Sequence, residues 1–329
     1  MAYSSGDPNA FFSIGMQSAK GTPQVAPAKL RYMKYLAGAN VAGDIEAVDL
    51  REGGDGLDFG YTYKKAQKAV GQVVINLRPE IAGQLFQMLP GGATWDGGSA
   101  PAIHTFNTGH ASFPWFTGLI QHPGSTLPQM ISDAIFTGFT LEGQAGEPWK
   151  VTLPFVALVH GASYAAVTPT LYTEEPFLFH YSPTYVLDGA GDSKITAFKI
   201  EQGLGIEELQ TQAVTLDDIA VQNRDTTVEI TRIYTDATLW KKIYMGAGVQ
   251  PTTSVATGAF RADSLYGAAG TLRSLSLEAR LLSYRGDVLT ELNPDGETVK
   301  ETLSSKALKG ATHAFFAVLK NTHASAYSG

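Results

Sequence analysis

Alternating apolar residues Val73, Ile75 and Leu77 pass without a loop into Arg78-Pro79-Glu80. That junction restricts the fold more than any other feature of the chain. Alternation with period two is the pattern of a half-buried strand. Proline suits the first helical position, because it lacks only a donor that a helix start cannot use, and Glu80 favours the positive end of the helix dipole. Ile81, Leu85, Phe86, Met88 and Leu89 then fall largely on one face, and Pro90-Gly91-Gly92 ends the helix. The same transition recurs at 228–245. Val228, Ile230 and Ile233 lead to a cap at Thr235-Asp236, then to a helix with Leu239, Trp240, Ile243 and Tyr244 as its apolar face and Gly246 for the left-handed residue after its end. A strand-to-helix unit present twice in 329 residues is an internal repeat. The length accommodates two domains, each large enough to bury its own core.

The remaining pattern is mostly that of strands. Segments 30–36 and 45–50 read as short strands, Gly53-Gly54-Asp55-Gly56 as a flexible hairpin tip, and Phe59, Tyr61 and Tyr63 as one side of a further strand, with Gln67 and Lys68 starting a turn. Strands are expected over 103–106, 113–120, 135–142 and 149–159, where Pro154 implies an edge or a bulge. In the second half they are expected from Ile195, over 272–284 and over 312–319, with a turn at Asn293-Pro294-Asp295-Gly296. The stretch 203–225 reads as irregular. Residues 1–29, rich in Gly, Pro, Ser and Ala, read as an arm with little regular structure, docking either on its own domain or on a neighbouring subunit. Domain limits follow at 30–165 and 166–329, with 167–175 as the crossing between them.

Charged residues make up 17% of the chain against roughly 25% in an ordinary soluble protein, while 44% are apolar. Low charge implies that partners cover much of the surface. The net charge of −7 comes without a run of Lys or Arg that could follow a phosphate backbone, which argues against tight nucleic-acid binding and leaves room for a face that repels DNA. With no cysteine, disulfides, thiolate nucleophiles and cysteine-bound zinc are excluded. The N-terminus has neither a basic leader nor an apolar stretch, and the most apolar segment, 152–159, falls far short of the roughly 20 residues of a membrane helix. A soluble protein made in the cytoplasm is the expectation.

Motifs that resemble catalytic ones read better as structure. His160-Gly161-Ala162-Ser163 follows a strand as a nucleophile elbow does, but the elbow needs a helix after the serine, and Val167-Thr168-Pro169-Thr170 opposes one. Gly189-Ala190-Gly191 leads into alternating Ile195-Thr196-Ala197-Phe198, the mark of a turn between strands rather than of a dinucleotide site. The seven histidines lack the helical i, i+4 spacing of a zinc site, and His104 and His110 flank an expected turn. Glu174-Glu175, Glu207-Glu208 and Asp217-Asp218 lack the alternate spacing of a calcium loop and read as solvated charges or as ion pairs across subunits. Phe113, Trp115 and Phe116, with Phe177, Phe179 and Tyr181, read as core or interface aromatics, with a sugar platform as the lesser reading. No catalytic, cofactor-binding or metal-binding residue is assigned.

In order along the chain stand Lys20-Gly21-Thr22-Pro23, the run Val70-Gly71-Gln72-Val73-Val74-Ile75-Asn76-Leu77-Arg78-Pro79-Glu80, His104-Thr105-Phe106, Phe136-Thr137-Gly138-Phe139-Thr140-Leu141-Glu142 with Gly146-Glu147-Pro148, Ile195-Thr196-Ala197-Phe198-Lys199-Ile200-Glu201, and Thr226-Thr227-Val228-Glu229-Ile230-Thr231-Arg232. Over about residues 18 to 319 this series resembles the two-domain major tail tube proteins of phages with long, non-contractile tails. The resemblance implies a mainly β chain with short helices: two tandem β-sandwich domains, each with a flanking helix, whose sheets join between subunits into a β-barrel-lined tube. It implies stacked homotrimeric rings of pseudo-sixfold symmetry, the alternative being a homohexamer. Tape measure and tail terminator or tip proteins are the implied partners, in a virion tail, and phage DNA passes the lumen without specific binding. Hairpins at 50–65 and 203–225 would reach the next ring. The alternative function is a tail-tip or capsid-decorating β-sandwich binding protein.

Overall fold

The computed structural model describes residues 10–52, 60–89, 91–98, 101–112, 114–122, 128–161, 170–171, 184–211, 214–245, 255–266, 273–289, 298–310, 313–325 and 327. The expected tip at 53–59, the crossing over 167–175 apart from 170–171, the turn at 293–296, Pro90 and Gly246 lie outside these residues. The mainly β class is as expected. In the first half come β1 (Phe11–Met16), β2 (Arg31–Met33), β3 (Asn40–Leu50), β4 (Tyr61–Asn76), α1 (Pro79–Gln87), β5 (Gly91–Trp95), β6 (Ala102–Ser112), β7 (Phe116–Gln121), β8 (Gln129–Phe136), β9 (Gly138–Gln144) and β10 (Lys150–His160). After β11 (Thr170–Leu171) come β12 (Thr184–Leu187), β13 (Ala190–Gly191), β14 (Ile195–Leu209), β15 (Asp218–Ile233), α2 (Thr238–Met245), β16 (Thr257–Tyr266), β17 (Arg273–Leu289), β18 (Lys300–Ala307) and β19 (Phe316–Asn321).

Strand pairing repeats between the halves. β1 lies beside β7 as β12 lies beside β16. The long hairpin β3–β4 has its counterpart in β14–β15, and each runs into a helix. β4 pairs with β10, and β15 with β18. The long β17 does alone what β8 and β9 do together: its first part pairs with β16 and its last part with β18. The two halves share one sheet network. β9 pairs with β14 over seven residues, from Gly138 opposite Gly203 to Gln144 opposite Ala197, and β19 crosses back to pair with β6. A β-carbon on Gly138 would lie 2.1 Å from the Gln202 carbonyl oxygen, so the seam is packed to backbone contact. One core continues through both halves, with Trp149 edge-on to Phe198 at 5.2 Å and Phe139 against Phe315 at 5.5 Å.

Both helices start where the sequence places them and differ in what they bury. Ile81, Ala82, Leu85 and Phe86 of α1 are buried, and the Tyr327 ring covers Gly83 so closely that a β-carbon there would sit 2.1 Å away. In α2 the Thr238 N–H donates to the Asp236 carboxylate at 2.8 Å, a side-chain cap on the first turn. Only Leu239 of α2 is buried, so the expected apolar face is corrected: Trp240 and Tyr244 lie against each other, rings tilted and 5.4 Å apart, on the exposed side. Lys242 ties the helix to Asp188 at 2.6 Å, and Asp188 also accepts from the Tyr284 hydroxyl and the Ala259 N–H. Burial, then the Asp188 charge, push the Tyr284 phenol up.

Five further expectations change. Within 1–29, residues 11–16 are the strand β1, set between β2 and β7 of the same chain with Phe12 and Ile14 buried. Gln67 and Lys68 make no turn; they lie inside the continuous β4, and the irregularity is a bulge at Lys65 of β4, opposite Glu46 and Ala47. The segment 135–142 is two strands broken at Thr137, whose N–H donates to the Pro154 carbonyl. In an antiparallel strand the N–H and C=O of one residue face the same neighbour. The donor that Pro154 lacks therefore falls at this β8-to-β9 break, and β10 is neither an edge nor bulged there. Finally, the described residues of 203–225 belong to a hairpin, paired from Ile195 opposite Arg232 to Leu209 opposite Asp218.

Candidate assembly surface

The outer parts of the two long hairpins behave differently. The end of β14–β15 folds back on the first half. Ile206, Leu216 and Ile219 pack with Ile135, Val156 and Leu158, flanked by Val70 and Trp115. The Gln67 N–H donates to the Val214 carbonyl at 2.8 Å, and Gln210 reaches the Lys65 carbonyl at 2.7 Å. Ion pairs complete the dock: Lys68 with Glu208 at 2.6 Å and Lys20 with Asp218 at 2.9 Å. Glu207 accepts from Gln222, and Asp217 from the Thr211 N–H and hydroxyl. Glu207, Glu208, Asp217 and Asp218 are thus each engaged within the chain.

The Lys20 hydrogen bond holds the Asp218 carboxyl below its ordinary range, and the Thr211 hydrogen bonds do the same for Asp217. A carboxylate with a lowered folded-state pKa stabilises the folded arrangement above its ordinary pKa, and this is lost as pH falls through the lower value. Acidification from pH 5 to about 2 should therefore undock this hairpin end ahead of the core. Amide-exchange protection over 206–221, corrected for intrinsic rates, should fall first in that range, and Lys20→Met should remove much of the pH dependence.

The β3–β4 hairpin has no such cover among the described residues. Tyr61 is 63% exposed and Ile45 53%, and Leu50 and Tyr63 are also exposed. Four apolar side chains on a projecting ribbon mark a contact surface, since a two-stranded hairpin is marginal alone in water. A second surface is polar. Across β10, β9, β14, β15 and β18, one register row reads Lys150, Glu142, Lys199, Glu229, Ser304. Thr140, Glu201, Thr227 and Lys306 form the next row. Lys150 lies 4.0 Å from Glu142 and Lys199 2.9 Å from Glu201, at an open groove of about 380 Å³. Hydrogen bonding to Glu201 raises the Lys199 pKa.

The residues weighed for chemistry scatter. Ser163, Glu174, Glu175, Phe113, Phe177, Phe179, Tyr181 and the His110 side chain lie outside what is described. Gly189, at φ +82°, is in the two-residue turn Asp188-Gly189 between β12 and β13, and Ala190-Gly191 are β13 itself. His104 is buried, its Nε2 2.9 Å from the His323 carbonyl oxygen and its ring 4.9 Å from Tyr327. Phe116 is buried against Phe136 at 4.5 Å, which removes it from any sugar platform, and Trp115 carries Lys20 over its ring at 5.3 Å. Among the described residues no three His, Cys, Asp or Glu side chains gather as metal ligands, and no helix is long and apolar enough to cross a membrane. The exposed hairpin could be found in the sequence through Tyr61 and Tyr63; the docked one depends on contacts about 140 residues apart.

A strand pairing that recurs twice in one sheet network, with sheet edges unpaired among the described residues and an apolar ribbon, is the make-up of a structural protein that meets other protein surfaces. A family model described as phage tail tube protein matches residues 8–295, and the chain belongs to that family. It is a structural subunit of a phage tail tube, a virion component that associates with copies of itself. No curated protein matches it.

Proposed function

We propose that the chain is the two-domain tube subunit of a long, non-contractile phage tail, with an arm at 1–29 and domains at 30–165 and 166–329. Three copies form a ring of pseudo-sixfold symmetry. The twofold recurrence of strand pairing carries this reading, because two equivalent units per chain let three chains supply six equivalent positions. Rings assembled in the host cytoplasm stack into a tube through which DNA is ejected. Tape measure, terminator and tip proteins meet the tube at its core and ends. The subunit works by assembly and carries out no catalysis.

The polar face of β10, β9, β14, β15 and β18 would line the channel. Lys150 lies beside Glu142, Lys199 beside Glu201 and Lys306 beside Asp225 there, so each of these cations already has an anion next to it. Such a wall offers DNA few free cations to exchange for its counterions, and DNA slides without sticking. Electron microscopy of the purified protein should show rings or tubes, and native mass measurement of one ring should give three chains. Persistent monomers would overturn the reading, and a six-chain ring would overturn the trimer. The double substitution Ile45→Asp and Tyr61→Asp touches exposed side chains only; it should shift folding stability by less than about 0.5 kcal/mol while abolishing assembly.

A further inference from the structure

The β9–β14 seam lies inside the chain, and the two edges that could repeat it are unpaired among the described residues. β9 ends the sheet of the first half and takes β14 of the second half along its outer edge. In the second half the place of β9 belongs to the last part of β17. Both segments run into a hairpin whose return strand, β10 or β18, pairs with the long hairpin, β4 or β15. Beyond Tyr284, β17 has β18 on one side and, among the described residues, no strand on the other. The place of β14 belongs in the first half to β3, whose described residues pair with β4 alone. A bare edge of this length invites aggregation unless something covers it.

We propose that these edges pair between copies: the 284–289 edge of β17 takes β3 of the next chain, antiparallel, as β9 takes β14 within the chain. The proposal rests on the ring reading and specifies its contact. Three internal seams and three seams between chains then close one sheet around the ring. Charge fits at the new seam. Glu142 faces Lys199 in the internal one; here Arg285, exposed at the β17 bulge, meets a strand carrying Asp44 and Glu46, exposed carboxylates that in their own chain lie 3.7 Å from Lys68 and 2.6 Å from Lys65.

The hairpin ends follow the same rule. The end of β14–β15 lies over the first half, where Trp115, just ahead of β7, helps to receive it. Carrying the seam to the next chain lays β3–β4 over the second half of its neighbour. There Val255, just ahead of β16, stands 56% exposed in the place that corresponds to Trp115. Ile45, Leu50, Tyr61 and Tyr63 gain a cover of the kind Ile206, Leu216 and Ile219 already have. The long first hairpin therefore closes the ring sideways, where the sequence alone had suggested a reach to the next ring.

The chain has no cysteine, so introduced pairs report without background. Four double variants combine Ala42→Cys or Asp44→Cys with Arg285→Cys or Gly286→Cys; the first three positions are exposed, and nothing lies within 4 Å of a β-carbon built on Gly286. A Glu142→Cys/Lys199→Cys variant is the internal control and should link within a single chain. After mild oxidation of assembled tubes, at least one double variant should give a non-reducing ladder of one, two and three chains that stops at three. A ladder stopping at six supports the seam and overturns the trimer. A ladder without an end means that the edges meet between rings, which overturns the proposal. Tubes in the microscope with the control linked and no double variant linked overturn the seam and leave the tube reading intact; absence of any assembly overturns both.

Discussion

Replacing Arg232 with alanine is expected to cost about 3–5 kcal/mol of folding stability, the range for breaking a buried ion pair by removing one partner. Arg232 stands on β15 directly opposite Glu301 on β18, its Nε 3.7 Å from Oε2, and its guanidinium also reaches Asp192 at 3.3 Å. Glu301 is 0% exposed. Without the guanidinium its charge would sit in the core beside Leu303 and Ile230 with its main compensation gone, and a desolvated carboxylate of that kind is costly. Urea unfolding should show a large drop in midpoint at an unchanged slope. Changing both partners, Arg232→Met with Glu301→Leu, should recover most of the loss, because burying two ions already costs desolvation that apolar side chains avoid. A loss under about 1 kcal/mol for Arg232→Ala would mean that water reaches Glu301.

The placement of Arg232 was legible in part. The alternation Val228, Ile230, Arg232 puts all three on one face, and the structure buries all three. The β4–β10 ladder of the first half has Ile75 opposite Val151 and Val73 opposite Leu153 in the corresponding layer, so the ionic row belongs to one half only. Nothing local announces Glu301, since its partner is fixed by a pairing about 70 residues away.

The same division between local and distant runs through the fold. Helix starts at Pro79 and Asp236 were readable because a cap or a proline acts within a turn. The outer length of β3–β4 was readable at 45–50 and through Tyr61 and Tyr63, but that of β14–β15 was not, because a strand covered by a distant segment loses the apolar–polar alternation that identifies a strand. Thus 203–225 read as irregular although its ladder continues with one bulge, at Gly205 and Ile206. For the candidate surface, Tyr61 and Tyr63 could be seen as strand residues, but only the structure separates them from their buried counterparts. The carboxylate pairs could be seen only as charges, because Lys20 and Lys68, which engage two of them, come from the other half of the sequence.

The N-terminal segment shows how composition can mislead, and its removal should have the largest effect of all. Deleting residues 1–17 removes β1, which pairs with β7 over six residues from Phe11 opposite Gln121 to Met16 opposite Phe116, and which also holds β2. Phe12 packs against Phe155 at 6.1 Å, and Ile14 is buried below it. Truncating one such side chain typically costs about 2–5 kcal/mol. Losing both, together with a ladder that leaves the β7 edge bare, approaches the roughly 5–15 kcal/mol by which a folded domain is stable. The deleted chain is expected to lose its cooperative thermal transition and near-ultraviolet circular dichroism, and to aggregate through the exposed edge. The single change Phe12→Ala, at about 3–5 kcal/mol, tests the same contact in a chain that still folds. A flexible arm serving only assembly would behave otherwise: its deletion would leave the melting transition in place and alter the tube alone. The Gly, Ser and Pro residues that flank β1 in the sequence explain why it reads as such an arm, although its four apolar residues Phe11, Phe12, Ile14 and Met16 mark a packed strand.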